Sequence, residues 1–303
     1  MSTLLSEGAT DASSQKTCHQ KCGFVAIVGQ ANAGKSTLVN TMAGQKVSIV
    51  SSKPHTTRYG IYGIVCHDNS QMILVDTPGI IACPQKGAQG YMSKITRQNT
   101  KEADIIVVVI DATAPIPDST MTLLKKMKDR RPIVALNKVD SLKKDTLLPL
   151  ADQVSPWASS IVMISGKKNQ GLDTLFDCIH ERLNAGPWLF GPDDLTQISM
   201  RFWAAEMTRE KLFDTVHQEI PYQAHVVTDK WDEGKKDIVV HQTIFVTKDR
   251  YKKWILGHKG QRIRTIGLRS RTEMGKETKK KIHLFLDVAV DATWEKTMAH
   301  HMV

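Results

Sequence analysis

Apolar residues fall in short continuous runs through the first 185 positions, at 24–29, 71–76, 105–111, 133–137 and 161–164. Unbroken runs rich in β-branched residues predict strands buried on both faces, as in a parallel sheet. Stretches between them predict helices at about 35–43, 90–102, 118–129, 145–153 and 171–184. Tyr59–Cys66 alternates instead, with Tyr59, Ile61, Gly63 and Val65 on one side, and predicts an edge strand paired to 71–76. A βαβ series of this kind predicts a doubly wound α/β domain over 22–185.

The run Gly186-Pro187-Trp188 to Gly191-Pro192-Asp193-Asp194 is rich in turn formers and predicts a linker over 186–198. Beyond it the pattern changes. Residues 199–219 suit an amphipathic helix. Tyr222–Thr228 and Asp237–Thr247 read as strands separated by a polar turn at Trp231–Lys236. Helices at 249–256 and 261–274 flank Gly257-His258-Lys259-Gly260, and Ile282–Val290 reads as a last strand. The order α-β-β-α-α-β predicts a smaller α+β domain over 199–303. Residues 1–21 are expected to be a disordered tail.

Composition narrows the class. Hydrophobic residues make up 41% and charged residues 24% of the 303-residue chain, as in ordinary soluble proteins. The longest apolar runs have strand length, and the start of the chain has no signal-like apolar segment. Five cysteines without framework spacing are expected to be reduced thiols, and Cys18-His19-x-x-Cys22 has no second pair to complete a zinc site. The charge is sharply localised. Residues 248–281 hold 13 Lys and Arg against Asp249, Glu273 and Glu277, so this segment alone carries the chain's net +10. A surplus so confined points to a polyanion partner.

The chemistry sits at the ends of the predicted strands. GQANAGKS at 29–36 follows the first strand and opens a helix, the context of a phosphate-binding P-loop. Gly29, Gln30, Ala31, Asn32, Ala33 and Gly34 offer backbone N–H groups. Lys35 reaches the β and γ phosphates, Ser36 can ligate Mg²⁺, and Thr37 continues the helix N-terminus. Asp76-Thr77-Pro78-Gly79 places a carboxylate toward Mg²⁺ and the Gly79 N–H toward a γ-phosphate. Asn137-Lys138-Val139-Asp140 ends another strand. There Asp140 accepts from the N1–H and amino group of guanine, a donor pair that adenine lacks, so the site selects GTP or GDP over ATP. Asn137 supports the loop, the Lys138 stem stacks on the base, and Ser165, Gly166 and Lys167 supply backbone contacts. Lys53-Pro54-His55-Thr56-Thr57-Arg58 precedes the edge strand. Thr57, with Thr56 as the neighbouring option, can bind Mg²⁺ when a γ-phosphate is present, making the loop an order-disorder switch. Ile80 stands where small signalling GTPases place a water-orienting glutamine. Asn32 either holds a monovalent cation beside the β–γ bridge or simply closes the loop turn.

GQANAGKS, KPHTTR, DTPG, NKVD, GPWLFGPDDLT and LGHKGQRIRTIG together resemble the Era family of bacterial GTPases, over roughly 22–290. The resemblance implies a G domain followed by a KH domain of the second topological type. It implies GTP-dependent binding near the 3′ end of small-subunit ribosomal RNA and a role in 30S subunit assembly. Lys35, Asn32, Thr57 and Gly79 would serve hydrolysis, with potassium stimulation suited to Ile80 and Asn32. A cytoplasmic monomer, partly peripheral on the inner face of the inner membrane, is implied. Ala31 and Gly166 replace the family's usual Pro and Ala, and His300–Val303 falls where members usually continue. In the second domain, Gly257 and Gly260 let RNA backbone approach, His258 and Lys259 face phosphates, and Arg262 and Arg264 extend the field. Ile263 and Ile266 are expected to pack toward the domain. Two functions remain open from the residues: a GTPase switch gating RNA binding, or a nucleotide-stabilised RNA-binding factor with negligible turnover. A tRNA-modification GTPase is disfavoured, since the Cys-containing motif and folate-binding region of that group are missing.

Overall fold

A computed structural model describes residues 20–51, 53, 60–79, 96–216 and 220–294. Its first half is a six-stranded sheet in the order β2-β3-β1-β4-β5-β6. The strands are β1 (Lys21–Gly29), β2 (Ile61–His67), β3 (Ser70–Asp76), β4 (Ile105–Asp111), β5 (Ile133–Asn137) and β6 (Ser160–Met163). All neighbours run parallel except β2 with β3. The continuous apolar runs are explained by burial on both faces: Val25, Ile27, Val107 and Val109 pack under α1 (Lys35–Ala43), while Ala26, Val28, Ile106 and Val108 pack on the opposite layer. Helix α2 is described over 96–102, and residues 90–95 of the predicted helix lie outside the described residues. Then come α3 (Asp118–Lys126), α4 (Leu147–Val154) and α5 (Leu172–Arg182). Helix α3 is shorter than expected, because a separate 3₁₀ turn, Lys128–Arg130, follows it.

β2 stands at the edge of the sheet and pairs with β3, as expected. The 186–198 segment covers it: the Ile64 N–H donates to the Leu195 carbonyl at 2.9 Å, and Thr196 Oγ1 donates to the Tyr62 carbonyl at 2.7 Å. Gln71 anchors the same segment from β3. Its Oε1 accepts from the Leu189 and Phe190 N–H groups, each at 2.9 Å, and its Nε2 donates to the Phe190 carbonyl at 2.8 Å. A sheet edge with unpaired backbone groups is a liability, and the covered edge removes part of it.

The second half has three strands, β7 (Ala224–Glu233), β8 (Asp237–Val246) and β9 (Lys281–Val290), in sequence order. β7 and β8 are antiparallel with a register shift between Thr228 and Lys230, and β8 and β9 are parallel. Trp231–Lys236 is therefore not all turn: pairing continues to Glu233, because the shift re-registers the strand. Helices α6 (Met200–Thr215), α7 (Asp249–Leu256) and α8 (Gln261–Thr278) complete the α-β-β-α-α-β order. Ser199 caps α6, its Oγ accepting from the Phe202 N–H at 3.2 Å.

The two halves meet along α6. Lys46 Nζ lies 2.8 Å from Glu210 and 2.7 Å from Glu273 of α8. Val50 N–H donates to Glu210, Trp203 Nε1 donates to the Lys46 carbonyl, and Lys53 Nζ donates to the Phe213 and Val216 carbonyls. Ile61 packs with Phe202 and Trp294.

Gln71 is fully buried, and Gln71→Ala leaves two linker N–H groups without their acceptor. Such a loss should destabilise the protein by about 2–4 kcal/mol, read as a lower urea midpoint with unchanged slope.

Candidate functional site

The P-loop folds as its glycines dictate. Gly34 has φ +92°, and a Cβ there would stand 2.3 Å from Asn137 Nδ2. At Gly29 a Cβ would stand 2.3 Å from the Val109 carbonyl oxygen. Asn32 also sits in the left-handed region, at φ 63°, which Asn tolerates better than most residues. Lys35 is buried and donates to the Gly29 and Gln30 carbonyls at 3.1 and 2.8 Å. Burial depresses its pKa to about 8, with Asp76 opposing the shift.

Ser36 Oγ donates to Asp76 Oδ2 at 2.6 Å, so the two expected metal ligands do converge. Two hard oxygen donors beside a phosphate loop fit Mg²⁺, which when bound would offset phosphate charge. Gly79 lies against the P-loop, with its ideal Cβ direction 2.9 Å from the Ala31 nitrogen. Thr57, Thr56 and Ile80 lie outside the described residues.

Asn137 joins the base-side loops. Its Nδ2 donates to the Ala33 carbonyl at 2.8 Å, and its Oδ1 accepts from the Lys138 and Gly166 N–H groups at 2.8 and 3.0 Å. Asp140 is exposed at the mouth, where Ser165 Oγ donates to its Oδ1 at 2.6 Å. Lys138 stands at φ 68°, its ammonium 2.6 Å from Asp111. Partial burial pushes the Asp111 carboxyl up, but hydrogen bonds from Lys138 and Thr113 outweigh it and hold the pKa below the usual range. Lys167 is exposed beside this loop. Gly166 packs on Leu38 at ordinary contact distance, so the family's alanine and this glycine both fit.

The second site lies more than 200 positions along the chain. Gly257 (φ 71°), Lys259 (φ 49°) and Gly260 (φ 75°) all have positive φ. Only a chain with glycine at two of these three positions adopts this loop cheaply. A Cβ on Gly257 would stand 2.7 Å from Arg262 Cβ, so the loop lies flat on the start of α8. His258 and Lys259 are exposed. Beside the loop, Ile263, Arg264, Gly267, Leu268, Leu284 and Leu286 line a groove of about 450 Å³ between α8 and β9. Its floor is apolar and its rim cationic, as a site for unstacked bases on a phosphate backbone requires. Ile266 is buried as expected, while Ile263 is half-buried on the groove wall.

Comparison with known proteins finds matches for both halves of the chain. Residues 24–138 match a family described as 50S ribosome-binding GTPase, and 219–295 match the KH domain. GTPase Era of Mesorhizobium japonicum is 42% identical over 296 residues, covering 96% of this chain and 95% of that protein. The chain belongs to the Era GTPase family. Era of Agrobacterium fabrum is 40% identical, over 90% of this chain and 88% of that protein. Among solved structures, Era in complex with MgGDPNP and nucleotides 1506–1542 of 16S ribosomal RNA superposes with TM-score 0.85 at 36% identity. That match covers 92% of this chain and 96% of that one. A point variant of Aquifex aeolicus Era bound to GDP.AlF4⁻ gives the same TM-score and identity, over 91% and 96%.

Two contributors within this Era-family site escaped the sequence reading. Ser48 is buried and its Oγ donates to Asp76 Oδ2 at 2.6 Å. It is held there by Asn40, whose Oδ1 accepts from the Ser48 N–H at 2.8 Å. No motif marks it. Asp111 had a usable signal, a carboxylate at the end of the strand beside Asn137.

The depressed Lys35 pKa has a signed consequence. Between about 8 and 10.5 the unfolded chain binds more protons than the folded one, so this group's contribution to stability grows as pH rises through that window. Bound phosphate favours the ammonium form, so nucleotide binding should take up protons there. Calorimetric titration with GDP in two buffers of different ionisation enthalpy should show uptake at about pH 9 and little at about pH 6. Proton release at the higher pH, or equal uptake at both, would contradict the assignment.

Proposed function

We propose that this protein hydrolyses GTP and uses its nucleotide state to gate binding near the 3′ end of small-subunit ribosomal RNA, assisting 30S assembly. The observation that carries the reading is the joining of the two sites. The loop expected to sense the γ-phosphate is bracketed by contacts to the RNA-side domain. Lys46 and Val50 precede it and bind α6 and α8, Lys53 at its start donates to the Phe213 and Val216 carbonyls, and Ile61 follows it and packs on Phe202. Contacts flanking the loop on both sides give a reordering there a path to α6. The resemblance to the RNA-bound Era structure supports the identity of the ligand.

In this reading Lys35 and the P-loop N–H groups hold the phosphates, and Asp140, steadied by Ser165, reads guanine. Ser36 and Asp76 would hold Mg²⁺, with Thr57 joining when the γ-phosphate is present. Asn32, exposed at the P-loop crest, is proposed to hold K⁺ beside the β–γ bridge, supplying charge that Ile80 cannot. The protein is proposed to act as a cytoplasmic monomer, with peripheral contact to the inner face of the inner membrane. Among the described residues no helix is long and apolar enough to cross a membrane. The domains are proposed to run 22–185 and 199–303.

Gly260→Asp should abolish RNA binding and spare GTP hydrolysis. The position has open space but a strained φ for any other residue, and the new carboxylate faces phosphate. Unchanged affinity in a gel-shift titration would overturn the clamp. Single-turnover phosphate release should be faster in potassium than in sodium. Equal rates would remove the cation role from Asn32. No release in either salt, with GTP binding intact, would favour an RNA-binding factor without turnover.

A further inference from the structure

Five of the six tryptophans are buried or half-buried, whereas Trp254 is 52% exposed. It stands on α7, about one turn before Gly257. The packing of α7 does not need it: Ile255 is fully buried, and Tyr251 and Leu256 join the same core. About half of the indole therefore remains open to solvent on a helix whose packing does not require it, which leaves an aromatic surface available to a ligand.

Its surroundings point to the kind of ligand. The Arg262 guanidinium lies over the indole with Cζ 5.7 Å from the ring centroid, and Arg262 Nη1 donates to the Trp254 carbonyl. The same arginine abuts Gly257, so the ring is pinned to the base of the glycine loop. Arg250 stands one turn earlier on α7, four residues from Trp254, with its guanidinium over the Tyr251 ring and donating to the Tyr251 hydroxyl at 2.8 Å. Lys253 is exposed beside it, opposed by Asp249 at 3.4 Å. Trp254 is not among the residues lining the α8–β9 groove, so a base on it would be additional to those in the groove. An exposed aromatic face amid cations, continuous with a phosphate-binding loop, suits a stacked nucleobase. A protein partner would have less use for so strong a positive field.

We propose that Trp254 is a stacking platform for one unpaired nucleotide of single-stranded RNA outside the groove, with Arg262 and Arg250 meeting its flanking phosphates. The proposal rests on the reading of the 257–260 loop as an RNA clamp. The test uses the full chain with GTP and a labelled RNA matching nucleotides 1506–1542 of 16S ribosomal RNA. Affinity is read by fluorescence anisotropy for wild type, Trp254→Leu and Trp254→Phe. Leucine keeps apolar bulk but cannot stack, and should weaken binding about tenfold, while phenylalanine should stay within about threefold of wild type. The slope of affinity against salt should be the same in all three, since tryptophan neutralises no phosphate. Replacing unpaired nucleotides one at a time by abasic residues should reveal one position that weakens wild type but not Trp254→Leu. Thermal melts and GTP hydrolysis should match wild type. Leucine binding as tightly as tryptophan, phenylalanine failing as badly as leucine, or no abasic position coupled to Trp254 would overturn the inference. Wild type failing to bind the RNA would instead bring down the clamp reading, and this inference with it.

Discussion

One buried side-chain amide holds the nucleotide pocket together. Asn137 donates to the P-loop at Ala33 and accepts from Lys138 on its own loop and Gly166 on the next. Three separate chain segments are thereby fixed to one another before any ligand arrives. Each buried hydrogen bond is worth only about 1 kcal/mol net, but leaving its partner unpaired costs about 1–3 kcal/mol. The effect on binding exceeds either figure, because the ordering entropy of three loops is spent in folding rather than at each binding event. The same amide also dictates Gly34, since any Cβ there would collide with Asn137 Nδ2. The spacing of the P-loop glycines is thus set partly from a strand end a hundred residues away.

From this pocket a run of polar contacts leads toward the RNA side. Asp76 is held by Ser48, Ser48 by Asn40, the adjoining Val50 by Glu210, and Glu210 shares Lys46 with Glu273 on α8. Burial alone would push Lys46 down, but the two carboxylates outweigh it and raise its pKa. Being largely buried, this cluster is screened little by salt, unlike the exposed cations at the other end of α8. A charged cluster at a domain junction, here completed by Lys211 against both glutamates, adds little net stability, but it penalises arrangements that separate the charges. It therefore favours one docking angle. Contiguity of this kind is a route along which nucleotide state can act; a change in its equilibrium is what makes it coupling.

Sequence made the strand ends legible because parallel strands buried on both faces leave unbroken apolar runs, and their ends carry compact motifs. Lys35, Ser36, Asp76, Asn137, Asp140 and Ser165 were all readable, and the folded chain sets Ser36 on Asp76, Ser165 on Asp140 and Asn137 on the loops either side. Ser48 was not, because its role arises from Asn40 folding the chain back eight residues on, with no periodicity to announce it. The cover on β2 was invisible for a related reason: an isolated Gln71 in an apolar strand looks like a defect until its three partners in the linker are seen. The extension of β7 to Glu233 depended on a register shift, which alternation rules treat as an ending.

The two ends of the molecule use opposite physical strategies. At the nucleotide end Asn137 ties the described loops together, and specificity would be lodged in side-chain hydrogen bonds that a wrong base leaves unpaired. The RNA end relies on backbone conformation and diffuse charge: two glycines at positive φ, an apolar groove and thirteen basic residues within 34 positions. Such a surface binds many single strands and discriminates weakly, and its affinity follows ionic strength. Discrimination at that end must come from bases held out of their stacks, in the groove and, in our reading, on Trp254. Timing must then come from the nucleotide end, because charge alone cannot tell the clamp when to let go. The junction on α6 is where those requirements meet, and Glu210 is the residue on which both converge, touching the Val50 backbone on one side and Lys46 on the other.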